Sequence, residues 1–389
     1  MTLRRFIILL AVLLPMLCMG QENPADSTEQ MRQDSLAVTE ADDFVTASLL
    51  VASPSDVLYS CVGHSSIRLQ CPHYDLDMVY TYESESVAKK VLSFFMGKLK
   101  MGMMPVPTER VLADYASEGR GVTEYVINIP LEKRKQLWQY LDGKVAEGMN
   151  LPYDYLNRSC AHACLGAIRA AVLPDTISFG GWTERVVKKT RRTLLADRTD
   201  DFPWDRFIIL TVAGTEADLL CALPNRVVIP MDLVEVLQKA TFNGQPVLKE
   251  PRVLVRQTVE VEGPGLVTPM SIACLLMLLA VVSCFWLHRP LSLLLLLLQS
   301  AFGLAVTYLV VFSSLPATDF SWLIIPLNPL PLILWRWRSK WLLPFAAVCL
   351  VWSIAMLLHR DNPLVDQPYI VFVSALAVNY IGQWKHLHK

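Results

Sequence analysis

Residues 58–82 read LYSCVGHSSIRLQCPHYDLDMVYTY. From residue 64 to 69 the side chains alternate as they do in a half-buried strand. One face carries His64, Ser66 and Arg68, and the other carries Ser65, Ile67 and Leu69. Pro72 and its polar neighbours predict a turn at 71–77, and 78–83 has the aromatic and β-branched residues of a returning strand. The stretch therefore predicts a β-hairpin, and Gly63 before it gives the backbone freedom to aim the His64 imidazole.

Residues 151–173, LPYDYLNRSCAHACLGAIRAAVL, predict a helix. Its small or apolar residues fall on one stripe at helical spacing: Cys160, Ala163, Cys164, Ala167, Ile168 and Ala171. Asn157 or Ser159 is suited to cap the N-terminus. Cys160 is then in the first turn, where the helix dipole favours a thiolate over a thiol. Cys164, one turn further along, is expected to be a small core residue.

The rest of the first 265 residues gives weaker signals. The patterns predict extended structure at 49–60 and 123–129, and helices at 86–96 and 131–147. Residues 173–265 are expected to be strand-like, and the basic run 188–192 is expected to be a solvated face.

Composition places the chain in a membrane. Hydrophobic residues make up 53% of the 389 residues and charged residues only 18%, and the apolar excess is at the two ends. The net charge of −1 excludes nucleic-acid binding through a basic field.

The N-terminal residues 1–20 are interpreted as a secretory signal peptide. Arg4 and Arg5 precede a short apolar run, and small residues stand before a cut at Gln21. A lipoprotein acylated on Cys18 is the alternative, although the usual small residue before the cysteine is missing. Residues 21–43 are polar and are expected to be a disordered lead-in.

Residues 266–389 are expected to form an all-α membrane domain. Five apolar runs can each cross a bilayer core of ~30 Å, the third only just: 266–288, 291–315, 320–335, 341–358 and 368–384. Pro326, Pro329 and Pro331 should kink or break the third run.

Basic residues predict the orientation of these five spans. They follow the first, third and fifth runs: Arg289, Arg336, Arg338, Lys340, Lys385 and Lys389. The other two linkers carry only Arg360, beside Asp361, and no base near Asp319. The positive-inside rule then puts the C-terminus in the cytoplasm and 21–265 outside, as the signal peptide also requires. Residues 44–265 are thus an exported domain, with its core at 45–175.

The exported domain has five cysteines: Cys61, Cys71, Cys160, Cys164 and Cys221. An odd number leaves at least one without a partner in the chain, and Cys61 and Cys71 flank a strand that holds them ~20 Å or more apart. We find no zinc-binding cysteine pattern and no phosphate loop, so we predict neither a metal nor a cofactor.

The histidines and Cys160 have plain interpretations when each is taken alone. His64 is then a turn or partly buried histidine, and Cys160 is a small buried residue. His73, in a turn, and His162, pointing away from Cys160, are not expected to be catalytic. Arg68 is expected to form a salt bridge.

Five segments in order change that interpretation: LYSCVGHSSIRL, VYTYES, FFMGKLKMGMMPVP, LADYASEGRGVTEYVINI and YDYLNRSCAHACLGAIR. Over residues 45–175 they resemble the Lnb N-terminal periplasmic domain family, and the apolar runs resemble the five-helix membrane region often attached to it. The resemblance implies an α+β, circularly permuted papain-like domain, related to NlpC-type endopeptidases, on a bacterial inner membrane. The family's Gly-His-Ser pattern falls on Gly63, His64 and Ser65, and its cysteine falls on Cys160.

The resemblance also implies the chemistry. The Cys160 thiolate would attack an acyl carbon, and His64 would hold the ion pair and then protonate the leaving group. Thr81 or Glu83, on the following strand, would orient the imidazole. Substrate contacts are expected at Gly63, Ser65, Asn157 and Ser159. The family has asparagine directly before the cysteine, where this chain has Ser159.

We therefore expect a membrane-anchored periplasmic cysteine hydrolase or acyltransferase that acts on a peptidoglycan peptide, a lipid or another acyl or amide substrate. The alternative is a non-catalytic binding or chaperone-like module on the same fold, which Ser159 favours and the Cys160–His64 pair opposes. A third hypothesis is lipid or solute transport through Gln299, Asn328 and Asn379, whose simpler interpretation is interhelical hydrogen bonding.

Overall fold

The hairpin predicted from residues 58–82 forms the middle of a seven-stranded antiparallel sheet in this computed structural model. Its strands are β2 (His64–Cys71) and β3 (Leu76–Ser84), joined through a 3-10 turn at Pro72–Tyr74. The remaining strands are β1 (Thr46–Ala52), β4 (Lys100–Pro107), β5 (Val122–Val126), β6 (Leu151–Pro152), β7 (Val186–Thr190), β8 (Leu220–Ala222), β9 (Thr241–Phe242), β10 (Gln245–Pro246) and β11 (Arg252–Val255). The main sheet has the order β11-β5-β1-β2-β3-β4-β6, and β7-β8 and β9-β10 form two small sheets.

The structure describes residues 45–388, apart from 56–59, 88, 181–185, 223–226, 228, 260–262, 264, 287, 316–317 and 335–336. The predicted signal peptide and lead-in, residues 1–43, lie outside the described residues. The helices are α1 (Val91–Phe95), α2 (Thr108–Ser117), α3 (Leu131–Glu147), α4 (Cys160–Ala171), α5 (Arg191–Asp197), α6 (Pro203–Val212), α7 (Pro230–Gln238), α8 (Pro269–Ser283), α9 (His288–Val311), α10 (Leu330–Ile333), α11 (Arg338–Leu358) and α12 (Gln367–Leu387).

Helices cover both faces of the main sheet. Helix α2 packs with Leu50, Ala52 and Val79 on one face, which is also the face of His64 and Thr81 in the strand register. Helix α4 packs against β2 and α3 on the other side. The predicted hairpin, the helix at 131–147 and the helix that begins at Cys160 are therefore confirmed.

The expectation of strand-like structure across residues 173–265 is correct only in part. The short strands β7 to β11 lie there, but so do the helices α5, α6 and α7. Pro203 and Pro230 each begin a helix, where the missing N–H of proline costs nothing. The apolar residues of α7 are buried at helical spacing: Leu233, Val234, Val236 and Leu237. Burial of this face outweighs the strand preference of the β-branched residues.

The basic run 188–192 is also not wholly a solvated face, because Arg192 is only 3% exposed. Its guanidinium bonds Asp218 at 2.6 Å and donates to three main-chain carbonyls, those of Leu210, Ala213 and Gly214. These acceptors compensate the desolvation of the buried charge.

Two helices, over Arg289–Val311 and Lys340–Leu358, are long and apolar enough to cross a membrane by length and composition. Helix α8 is apolar but shorter. Residues 320–334 do not form a continuous helix. They contain a 3-10 turn at Trp322–Ile324 and the short α10, as the three prolines predicted. Gln299 Nε2 donates to the Pro326 carbonyl at 2.8 Å, so a neighbouring helix satisfies backbone that the break leaves unpaired.

One end of the helical part contacts the part that carries the sheet. After α9, the Ser314 N–H donates to the Met96 carbonyl, and the Thr318 hydroxyl donates to the Val212 carbonyl. After α11, Asn362 accepts from the Thr190 N–H at 2.8 Å. At the other end of the bundle His386 contacts the Cys284 carbonyl. The loops after α9 and α11 thus lie on the side of the sheet.

Gly97 allows a test of this junction. It has φ +69°, and a Cβ there would lie 2.1 Å from the Leu315 nitrogen. We expect Gly97→Ala to cost about 2 kcal/mol or more and to lower the thermal unfolding midpoint in detergent, because neither the backbone angle nor the space admits a methyl group.

Gly143→Ala is the matched control. No atom lies within 4 Å of its Cβ position in α3, so alanine should be neutral or stabilise the helix by about 0.5–1 kcal/mol. Equal midpoints for the two variants would contradict the close packing at Gly97.

Candidate active site

The site begins at the first residue of β2. Gly63 has φ +80°, and a Cβ there would lie 2.6 Å from the Ala52 carbonyl oxygen. His64 follows it and pairs with Ala52 across the strands. The glycine therefore lets the chain turn tightly against β1 and deliver His64 at the end of the sheet.

Cys160 is the first residue of α4, and Ser159 caps this helix by accepting the His162 N–H at 3.3 Å. The predicted cap is thus confirmed. The Ser159 oxygen also lies 3.0 Å from His162 Nδ1. Burial, together with Arg191, lowers the pKa of His162 to about 4, so the ring is neutral and Nδ1 accepts the serine proton.

Cys160 and His64 interact directly. Burial disfavours both charged forms, but the charge of His64 and its hydrogen bond lower the pKa of Cys160. In the same way the charge of Cys160, helped by Glu83, outweighs burial and raises the pKa of His64. Ser65 lies beside the thiol, and its buried hydroxyl makes no hydrogen bond within the described residues. The pair therefore favours thiolate and imidazolium.

Thr81 and Glu83 act on the far side of the imidazole together, where we predicted one or the other. The Thr81 hydroxyl donates to Glu83 Oε1 at 2.8 Å and lies 2.8 Å from His64 Nε2. Its single proton is used on the carboxylate, so the hydroxyl accepts from Nε2–H. This assigns the Nε2 proton and leaves Nδ1 for the proton of Cys160. Glu83 Oε1 itself is 3.5 Å from Nε2.

The expected substrate contacts divide into two groups. Gly63 and Ser65 lie beside the pair. The hydrogen-bonding groups of Asn157 are engaged elsewhere, since its amide nitrogen donates to Asp154 and Glu216 and its oxygen accepts from Arg191. Ser159 is likewise engaged with His162. These two side chains support the N-terminus of α4 and are not aimed at a ligand.

Sequence reasoning missed three residues near the pair. Tyr115 lies under the Arg120 guanidinium, which is 4.7 Å from the ring centre. The Arg120 Nε donates to the Ser53 carbonyl at 2.9 Å and so holds the chain that backs Gly63. Burial and the nearby Cys160 raise the pKa of Tyr153 to about 12. In the sequence these residues are marked only by Gly119 and Gly121, which flank Arg120, and that pattern is too weak to indicate a functional site.

The other predicted roles fall outside the site. Arg68 forms the expected salt bridges, to Asp77 at 2.6 Å and to Glu124 at 2.9 Å. His73 is exposed in the turn at the far end of β2. Cys71 and Cys164 are buried free thiols, and Cys61 is also buried. The side chain of Cys221 lies outside the described residues.

A metal cluster or a cavity could also mark a functional site. Within the described ranges no group of three or more His, Cys, Asp or Glu side chains could hold a metal ion. A cavity of about 640 Å³ lies where the loop after α11 meets α5 and α6, lined by charged residues that include Lys189, Asp200, Arg206 and Arg360. The chemistry of the Cys160–His64 pair, and not cavity size, identifies the candidate site.

Comparison with known families agrees with this geometry. Residues 34–189 match the Lnb N-terminal periplasmic domain. The matched segment contains His64, Thr81, Glu83 and Cys160. No curated protein and no solved structure matches the chain.

The electrostatics predict how Cys160 reacts. Because its pKa is lowered and that of His64 is raised, Cys160 should be alkylated even near pH ~6. His64→Ala removes the cation and should move the midpoint of the pH–rate curve towards the ordinary thiol value of ~8.5. Iodoacetamide labelling of Cys160, followed by mass spectrometry at several pH values, measures the shift.

His73→Ala is the control, because that histidine is in the exposed turn and should leave the curve unchanged. His162→Ala should also leave it nearly unchanged, since His162 is neutral across this range. The pairing would be refuted by superimposable curves for the wild type and His64→Ala.

Proposed function

We propose that this chain is a membrane-anchored periplasmic thiol enzyme that transfers an acyl group through Cys160, as an acyltransferase or a hydrolase. One observation carries the proposal. A cysteine at a helix N-terminus lies close enough to a histidine for each to shift the pKa of the other, and Nε2 of that histidine is held by Thr81 beside Glu83. This is the arrangement of nucleophile, base and orienting group that covalent acyl transfer needs.

In the proposed reaction Cys160 Sγ attacks the acyl carbon, and the carbonyl oxygen takes the negative charge. The Cys160 N–H, which has no acceptor within the helix, can stabilise that oxygen. The bond to the leaving group then breaks, and the His64 imidazolium gives it the Nδ1 proton. Water or an amine next returns a proton to His64 and takes the acyl group from sulfur.

The chain order supports a permuted papain-like interpretation. The histidine strand comes before the cysteine helix, and the helix packs on an antiparallel sheet. Ser159 is consistent with activity because it is the helix cap here, so oxyanion contacts can come from the main chain. A non-catalytic binding module is the second candidate. It is favoured by the absence of asparagine directly before Cys160, where this chain has Ser159.

The surroundings of the site favour a substrate attached to the membrane. Tyr153, near Cys160, packs in one apolar cluster with Phe94 and with Leu309 and Leu315 at the end of α9. The site is therefore one aromatic side chain away from the end of a candidate membrane helix. Among the possible acyl and amide substrates, this position favours a lipid or a membrane-bound amine.

The helical part is proposed to cross the inner membrane five times, with a cytoplasmic C-terminus. The contacts of the loops after α9 and α11 with the sheet-bearing part support a periplasmic position for both loops. The broken segment 320–335 must then return the chain to the side of Arg338. Its carbonyls at Trp322, Pro326 and Leu334 accept from side chains of other segments, as irregular backbone at membrane depth requires.

The acyl-enzyme is directly testable. An activated acyl ester added to the full-length protein in detergent should give a stoichiometric burst and a mass adduct on Cys160. Cys160→Ala should abolish both at a cost of only ~1 kcal/mol in stability, because a small partly buried group is lost. Cys274→Ala, at an exposed thiol of α8, is the matched control and should keep both.

An adduct that persists in Cys160→Ala, or its absence from the wild type under every donor, would favour the binding module instead.

The topology is tested by reporter fusions. Fusions after Arg338 and after Asp366 should give opposite signals, cytoplasmic and periplasmic, because helix α11 separates the two sites. A fusion after Ser314 should match the one after Asp366. Matching signals after Ser314 and Arg338 would mean that the proline-rich segment does not cross.

A further inference from the structure

Helix α1 and its flanks carry an exposed apolar surface that the proposed chemistry does not use. Leu92 is 68% exposed, Val91 49% and Phe95 36%. Three neighbouring large apolar side chains in five residues are more than scattered surface hydrophobicity, and they indicate a partner.

The position of α1 relative to α9 suggests which partner. The Ser314 N–H and hydroxyl both donate to the Met96 carbonyl, at 3.2 and 2.8 Å. The Gly97 backbone packs directly on Ser314 and Leu315. Helix α9 is long and apolar enough to cross a bilayer and ends at Val311. The residues just after its end lie at the membrane surface, and so does the segment bonded to them.

The charged residues around α1 are also consistent with a position at the membrane surface. Lys89, Lys98 and Lys100 are exposed on either side of the apolar residues. In the part of the chain that the structure describes, Lys89 and Lys98 form no ion pair, whereas Lys90 contacts Glu85 at 2.6 Å. Lysines beside apolar side chains are suited to lipid phosphates while their stems stay among the acyl chains.

We propose that α1 and its flanking lysines form an interfacial wedge that lies in the periplasmic leaflet of the bilayer crossed by α9. Val91, Leu92 and Phe95 enter the acyl region, and the lysines contact the phosphates. The occupant of this surface is the lipid bilayer itself.

The wedge also places the entrance of the site at the membrane, a step that rests on the proposed function. Phe94, on the inner side of α1, meets the Tyr153 ring edge to face at 5.9 Å between centres. Tyr153 in turn precedes the N-terminus of α4 in the chain, and the charge of Cys160 contributes to raising the pKa of its hydroxyl. A lipid next to the wedge would therefore approach Cys160 from the side of Phe94 and Tyr153.

The test uses the full-length protein in vesicles of ordinary or brominated phosphatidylcholine. A fluorescent amino acid replaces Leu92 in one protein and Tyr74 in another. Tyr74 is the matched control because it is also exposed, at 62%, but lies in the turn at the far end of β2 from His64. Bromine quenches only fluorophores that touch the acyl chains. We expect position 92 to lose most of its emission in brominated vesicles and position 74 to lose none.

A second measurement uses a third protein, with the fluorescent amino acid at Val91. It is compared with the same protein after both Leu92→Glu and Phe95→Glu have been introduced. The two carboxylates should abolish the quenching at Val91. The thermal midpoint is measured in parallel, because the Phe95 ring also contacts Phe94 at 5.3 Å between centres, and a retained midpoint shows that the loss of quenching is not a loss of fold. Emission at 92 that is equal in both vesicle types, or quenching at 91 that survives the double variant, overturns the wedge.

Failure of the wedge and failure of the enzyme hypothesis are distinguishable. Quenching does not require Cys160, so Cys160→Ala should be quenched like the wild type. Quenching without an acyl adduct would keep the wedge and reject the enzyme. An adduct without quenching would do the reverse.

Discussion

The hydrogen bond between His64 Nε2 and the Thr81 hydroxyl joins the central hairpin to the chemistry of Cys160. It exists because the β2–β3 register puts Thr81 opposite Ser66, on the face of His64 and one diagonal step away. A slip by one residue would turn Thr81 and Glu83 to the other face and leave the imidazole without an orienting group. The pleat of two strands therefore sets the tautomer of a histidine.

The electrostatics of the pair depend on how much water the site excludes. Burial acts against both the thiolate and the imidazolium, and each is retained because the other is near. Either charge alone in that place would be lost by protonation or deprotonation. The backbone of the Gly63 turn, which Arg120 supports through Ser53, keeps the two groups in contact.

The helical part contributes more than an anchor. Its loops after α9 and α11 form hydrogen bonds with Met96, Thr190 and Val212 of the sheet-bearing part. The buried polar residues inside it serve mostly to hold helices together. Gln299 bonds the Pro326 carbonyl and Tyr380, and Asn379 accepts from Ser283 and Ser292. Asn328 caps its own turn at Leu330. These bonds favour interhelical packing over the transport hypothesis.

The sequence alone indicated the elements whose signals are local. Alternation over 64–69 predicted the strand β2, and the stripe of small residues predicted α4. The prolines predicted the break in the third apolar run. Gly63, His64 and Cys160 were identifiable because a turn, a strand start and a helix start are each encoded within a few residues. Only the tertiary structure brought His64 to Cys160, joined Thr81 and Glu83 into one relay, and engaged Asn157 and Ser159 in supporting the helix. It also placed three helices within residues 173–265 and buried Arg192, because burial against distant segments outweighs local propensity. Contacts between residues far apart in the chain leave no periodic trace in the sequence, so their geometry becomes visible only when the chain is folded.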